Sequence, residues 1–381
     1  MKKLAIIGAS NFQNPLILKA QERGVETHVF AWECGDVGES TADFFYPIST
    51  ADKEGILAKC REVGVDGVAT IGSDFNNITA SYVANRMGLV ANPDDVVLNS
   101  TNKHLMREVF ATHGDPSPKS VAAVRGDRMP KFSGMSLPLI VKPTDRSGSR
   151  GIQKIYTLDQ LPQALETAWE CSWEHKAVVE EFLEGEEFSV EYISWKGEHH
   201  FLQLTKKFTT GAPHFIETGH LEPAQVSPDV LERVRQVIPH ALDSLGIRFG
   251  ASHSEIMIDD AGEPRIVEIG SRMGGDCIGS DLVELSTGID FVGAVVDVAL
   301  GQAPDLRPVH PPRYAAIRFA FGEEDVALLD GLRADSAGIL NREVMSEDRG
   351  HEITDSSSRY GFYIMSSWSL GKLDPYLPLS V

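Results

Sequence analysis

The chain opens on an alternation of short apolar runs and amphipathic stretches. "KKLAIIGAS" reads as a buried strand ending in a glycine turn, "NPLILKAQERGV" as a helix and "ETHVFAW" as a second strand. "KEGILAKCREVGV" and "DGVATIGSD" repeat the helix and the strand, and "NNITASYVANRMGL" continues the helical period. Strands that alternate with helices predict a parallel sheet covered on both faces. Residues 1–98 are therefore expected to form a Rossmann-like lobe. Its first turn, "GASNFQ", lacks the glycine spacing of a dinucleotide site, which argues against a nicotinamide oxidoreductase.

The pattern then changes. "STNKHLMREVFATHG" predicts a capped helix ending at His113-Gly114. "LPLIVKPTDRSGSRGIQKI" reads as strand, loop and strand, and "LDQLPQALETAWECSW" as an amphipathic helix. "AVVEEFLEGEEFSVEYISW" reads as two strands with a short break, and "SPDVLERVRQVIPHALDSLGI" as a long helix. A hairpin, "SEIMIDDAGEPRIVEIG", follows, then helix again through "SDLVELSTGIDFVGAVVDVALG". From about residue 305 the chain is β-rich with turns.

The hairpin carries one glutamate in each apolar strand. A two-residue loop at Ala261-Gly262 places Asp259 opposite Pro264, Met257 opposite Ile266 and Glu255 opposite Glu268; a glycine bulge shifts this by one residue. Facing like charges destabilise a sheet. At ~4 Å and an effective dielectric of about 20 the repulsion is roughly 4 kcal/mol. Either one acid keeps its proton or a divalent cation bridges the two, and an all-oxygen site suits magnesium or manganese.

Other segments carry chemistry of their own. Lys142 ends an apolar strand and is aimed at an anion or snorkels. The loop Asp145 to Gly151 combines glycines, serines and arginines, a composition that suits phosphate. It is not a Walker A loop. The stretch at 180–183 can stack on a planar base, and Glu187 can accept from ribose hydroxyls. Arg272 follows the acid pair and can hold a carboxylate or a transferring phosphoryl group. Gly274 and Gly275 leave room for a ligand to approach the backbone.

Formal net charge is −20, which repels phosphate backbones and argues against a nucleic-acid partner. The cysteines Cys34, Cys60, Cys171 and Cys277 have no metal spacing and read as free thiols in a reducing compartment. The first apolar run is shorter than the roughly 7–15 residues of a signal sequence, and no run approaches the ~18 apolar residues of a membrane span. A cytoplasmic protein without a membrane partner is expected.

Taken in order, these pieces resemble the ATP-grasp superfamily. Within it they look most like the carboxylate–amine ligases related to biotin carboxylase and the carbamoyl-phosphate synthetase large subunit, with the L-amino-acid ligases closest in appearance. The resemblance covers roughly residues 1–300. It implies an α/β and α+β fold: a Rossmann-like lobe at 1–98, a two-lobed ATP-grasp domain at 99–304 with a small lid at about 115–190, and a β-rich C-terminal lobe at 305–381. It implies ATP with magnesium or manganese as cofactors, small-molecule carboxylate and amine as substrates, and an acyl-phosphate between them. Relatives of this kind are often homodimers.

The resemblance also assigns roles. Lys103 and Lys142 are nucleotide-binding lysines, and Ser147, Gly148, Ser149 and Gly151 form the phosphate loop. Glu180, Glu181, Phe182 and Leu183 form the adenine hinge, with Glu187 on the ribose. Glu255 and Glu268 bind the metal, and Arg272, with Lys142, steadies the acyl-phosphate. The segment 205–224 closes over the site, with Lys206 reaching phosphates and Glu217 and His220 facing substrate. One departure stands out: Gly270 occupies the position where the family usually has asparagine. An enzyme using bicarbonate or a purine intermediate, and a nucleotide-binding regulator without turnover, are the alternatives within the same family.

Overall fold

The structure, a computed structural model, describes residues 1–127, 132, 134–146, 148, 150–212, 215–334 and 338–378. Its first unit follows the predicted alternation: β1 (Lys3–Ile7), α1 (Asn14–Glu22), β2 (Glu26–Phe30), α2 (Val37–Thr41), β3 (Phe44–Tyr46), α3 (Lys53–Val63), β4 (Gly67–Ala69) and α4 (Asp74–Met87). The strands are parallel in the order β3-β2-β1-β4. The turn after β1 is filled from within: Gln13 donates to the Ile71 carbonyl at 2.7 Å and accepts from Ser10.

Helices α5 (Asp94–Asn99) and α6 (Lys103–His113) lead into the second unit. Asn102 caps α6 through the amides of His104 and Leu105, and Gly114 ends it in the left-handed region. The buried stripe of α6 is Lys103, Met106, Arg107 and Phe110, the i, i+3, i+4, i+7 positions of one face. Two of these four are cations, which a purely apolar stripe would not contain. β5 (Ser120–Val124), β6 (Leu139–Pro143), β7 (Gln153–Ile155), α7 (Leu161–Cys171) and β8 (Lys176–Glu181) build an antiparallel sheet in the order β5-β8-β6-β7. Glu180 and Glu181 belong to β8, so the connection to the next strand is 182–185 rather than 180–183.

The central sheet is built from β9 (Glu186–Trp195), β10 (Glu198–Thr209), β11 (Glu217–Glu222), α8 (Pro228–Leu245), β12 (Phe249–Ile258) and β13 (Pro264–Gly270). After α9 (Val283–Thr287) and α10 (Phe291–Ala299) come β14 (Tyr314–Ala320), α11 (Glu323–Ala334), β15 (Leu340–Met345) and β16 (Gly361–Ser367). The order is β13-β12-β9-β10-β11-β14-β16-β15, so the β-rich C-terminal segment extends the central sheet through β11. One face of this sheet is apolar: Val190, Tyr192, Leu204, Ile256 and Ile266 pack on α6 and α8.

The opposite face carries the chemistry, because strand period two puts every second residue there. Three rows cross it. Glu268, Glu255, Ser189, Thr205 and Glu222 form one, and Gly270, His253, Glu191 and Gln203 a second. The third runs from Met257 through Glu187 to Lys207 and His220. Among the described residues, none of the helices is long and apolar enough to cross a membrane.

Phe110 is fully buried between α6 and the sheet. Phe110→Ala should cost about 3–5 kcal/mol in urea unfolding.

Candidate active site

Glu255 and Glu268 do face each other on β12 and β13. The rest of the hairpin register differs from the two-residue-loop expectation. Ile256 pairs with Ile266, Met257 with Arg265 and Ile258 with Pro264, because Val267 is an extra residue beside the glutamates. The bulge frees the Val267 carbonyl, which accepts from Arg107 at 2.6 Å. Cations of the chain add a remedy that the hairpin alone does not offer. Each acid has its own lysine: Lys103 lies 3.1 Å from Glu268, and Lys207 lies 2.9 Å from Glu255.

Lys207 is the centre of the cluster. Glu187 is 2.5 Å away and Glu217 is 3.8 Å away, so three carboxylates surround one ammonium. Burial works against its charge, but those carboxylates raise it well above the usual lysine range. Burial would likewise raise Glu255; Lys207 and then His253 hold it well below the usual range. Lys206, the lysine expected on the phosphates, borders the larger of the two cavities at this site. It lies opposite Phe188, 4.6 Å from that ring's centre, and pairs with Glu186 at 2.7 Å. Strand alternation puts its neighbour Lys207 among the carboxylates.

Lys142 and Glu180 form a second buried centre. Lys142 is 2.7 Å and Arg107 2.8 Å from the Glu180 carboxylate. Burial alone would raise Glu180, yet the two cations hold it at about 2. Burial lowers Lys142, with Glu180 opposing. Lys103 also donates to the Arg146 carbonyl at 2.8 Å, which ties α6 to the segment that follows β6. Ser147 and Ser149 lie outside the described residues. Gly148 and Gly151 both have positive φ, and a Cβ on Gly151 would meet Cys171 at 2.9 Å.

Arg272 is paired with Asp74, at the start of α4, through Nε at 2.8 Å and Nη2 at 2.9 Å. Its Nη1 donates to Met273 O at 3.2 Å. Gly270 makes room for this pair: a Cβ there would lie 3.0 Å from Asp74 Oδ1. Asp276 is held by Arg359 at 2.7 and 3.0 Å, and Ser356 donates to Glu217 at 2.5 Å. His220 lies 3.9 Å from Asp276, and burial keeps it neutral by lowering its affinity for a proton. Neither of its ring nitrogens has a hydrogen-bond partner among the described residues.

Two cavities meet here. The larger, about 560 Å³, is bounded by Lys103, Lys142, Phe182, Leu183, Glu187 and Glu268 among others. Ile140, Ile152 and Met257 supply apolar wall suited to a planar base, and Lys154 sits 3.3 Å over the Phe182 ring. The volume suits a nucleotide-sized ligand. The smaller, about 230 Å³, is bounded by Phe12, Asp74, His220, Gly275, Asp276 and Arg359 among others. Both share Gly148, Lys207, Glu217, His253, Glu255 and Arg272. Gly274 lies behind this wall, and Gly275 has open space where a Cβ would be. Most expected residues therefore converge. Lys207, Arg107, His253, Asp74 and Arg359 were not foreseen, although Arg107 follows Lys103 by one turn on the same helical face.

Residues 135–280 match the family described as the ATP-grasp domain. This chain carries an ATP-grasp domain. It is 31% identical over 185 residues to dapdiamide A synthase of Enterobacter agglomerans, covering 46% of this chain and 42% of that protein. It is 24% identical to the D-alanine–D-alanine ligase of Ralstonia nicotianae, covering 78% of this chain and 87% of that protein. The fold matches the crystal structure of the L-amino acid ligase from Bacillus licheniformis, with a TM-score of 0.83 and 23% identity, covering 99% of this chain and 96% of that chain. Against three curated relatives, the chain spans 42%, 55% and 60% of their length.

The donor set fits a divalent cation shared with a ligand. Glu255 and Glu268 offer oxygens from facing strands, and among the described residues no group of three or more metal-type side chains forms a closed cage. Magnesium is commonly held by one or two carboxylates together with phosphate oxygens.

A stability test follows from Glu180. Its carboxylate titrates at about 2 in the fold and near 4.5 when unfolded, so its stabilisation is present above 4.5 and lost as pH falls through 2. Glu180→Gln leaves Lys142 and Arg107 without their counter-charge and should cost about 3–5 kcal/mol at neutral pH in urea unfolding. Buried Glu222 has the opposite sign. It accepts from Thr205 and Ser286 at 2.8 Å, and burial pushes it up to about 8. Its favourable share is present below 4.5 and lost as pH rises through 8; Glu222→Gln should flatten that part of the stability–pH curve.

Proposed function

We propose that this protein is an ATP-dependent, ADP-forming ligase that joins a small-molecule carboxylate to an amine. The observation that carries the reading is the wall shared by the two cavities, which bears Lys207, Glu255 and Arg272. ATP takes the larger cavity, with its base among Ile140, Ile152, Phe182 and Met257 and its phosphates towards Lys103 and Lys142. The carboxylate and amine take the smaller cavity.

A carboxylate oxygen attacks the γ-phosphorus, ADP leaves and an acyl-phosphate forms. The amine then attacks the acyl carbon, and phosphate leaves with the oxygen the carboxylate supplied. Negative charge develops in both steps, and preorganised cations stabilise it. Lys142 faces the phosphates. Asp74 takes the Nε edge of Arg272 and holds the guanidinium plane in place at the wall. Glu255 and Glu268 would hold a magnesium or manganese ion, which would supply charge neutralisation for the phosphate oxygens. Neutral His220 can accept from the amine. No enzyme nucleophile is needed.

The test is phosphate release from ATP and magnesium across pools of amino acids and other carboxylates, each paired with amines. Release should require one pool and fall by at least about a hundredfold in Glu268→Gln, the scale of losing one transition-state contact. Release from no pool, or release unchanged in Glu268→Gln, would overturn the reading.

A further inference from the structure

The reaction above leaves one buried pair without a role. Glu191 on β9 and His253 on β12 lie directly opposite each other. Glu191 has no exposed surface and lies outside the residues bounding either cavity, so it does not reach nucleotide, cation or substrate. A buried carboxylate is costly unless both oxygens are satisfied. Here both are. Oε1 accepts from His253 Nδ1, and Oε2 accepts from the Gly274 amide at 3.2 Å.

The other edge of the same imidazole faces the acid pair. His253 Nε2 is 3.6 Å from Glu255 Oε1, the oxygen that also takes Lys207. The fit on the loop side is tight. A Cβ on Gly274 would lie 2.7 Å from His253 Nδ1 and 3.1 Å from Glu191 Oε1. One carboxylate therefore holds the ring that abuts Glu255 and the loop that carries Arg272 and Asp276. Two residues further along the same strands the face holds Ile193 and Ala251, packed in an apolar cluster. An apolar pair would suffice if packing were the only demand.

We infer that Glu191 and His253 are positioning residues that fix Glu255 for its cation and pin the 271–276 loop at the junction of the cavities. The inference rests on the metal role proposed above for Glu255. It makes Gly274→Ala equivalent to loss of Glu191.

The test is Mn²⁺ titration followed by electron paramagnetic resonance, in the presence of a non-hydrolysable ATP analogue, so turnover is not required. His253→Asn is the first variant, since its amide can still reach Glu191 but not Glu255. Its Mn²⁺ affinity should fall about 10–100-fold, the usual scale for groups behind a metal ligand. Analogue binding in EDTA should stay within about twofold of wild type, a split that a general loss of structure would not give. Glu191→Gln and Gly274→Ala should follow the same pattern, and Glu255→Gln is the control. If Glu255→Gln weakens Mn²⁺ while His253→Asn stays within about twofold of wild type, the positioning role is wrong. If Glu255→Gln itself leaves Mn²⁺ affinity unchanged, the metal reading fails and this inference with it.

Discussion

Carboxylates crowded on one face of a sheet cannot remain ionised unless cations sit among them, and this constraint organises the protein. Glu255 faces Glu268, and Glu187, Glu191 and Glu222 lie on the same face. The cations come from separate elements: Lys207 from β10, Lys103 and Arg107 from α6, Lys142 from β6. Each pairing fixes one element relative to another. The charge pattern that prepares the site is thus also what assembles the β5-β8-β6-β7 sheet, α6 and the central sheet. Glu222 has no cation among the described residues, and burial lets it keep its proton to higher pH instead.

The first and last parts of the chain complete the site. Asp74 comes from the Rossmann-like unit and holds Arg272; Asn77 donates to Ser271 O at 3.0 Å. Arg359 and Ser356 come from the segment before β16 and hold Asp276 and Glu217. Asp276 and Cys277 both have positive φ, a costly backbone conformation for such residues, and the bidentate Arg359 contact helps retain it. Gly270 belongs to the same economy of space. Its missing side chain leaves the volume into which the Asp74 carboxylate projects.

Much of this was legible in the sequence where a local period carried it. The parallel unit followed from alternating runs; the opposition of Glu255 and Glu268 was anticipated, but it arises from a turn one residue longer than expected offset by the bulge at Val267. The bulge at Val267 was not legible, because its cause lies elsewhere: Arg107 takes the freed carbonyl and Pro116 O takes the Ile266 amide at 2.7 Å. Lys206 and Lys207 are adjacent, and only the register against Phe188 decides which points inward. Glu191 and His253 could have been noticed as polar residues at buried positions of two strands. Their partnership needed the strand order, which places β12 beside β9 although some fifty residues separate them. The Arg359–Asp276 contact is longer in range still.

The account stands on a carboxylate oxygen meeting the γ-phosphoryl group at the wall between the cavities. The most direct test uses the carboxylate that supports turnover, labelled with ¹⁸O in both oxygens, with mass spectrometry of the released phosphate. The account predicts one labelled oxygen in each phosphate, carried across when the acyl-phosphate is cleaved by the amine. Phosphate free of label, with both labelled oxygens remaining on the organic product, would contradict it.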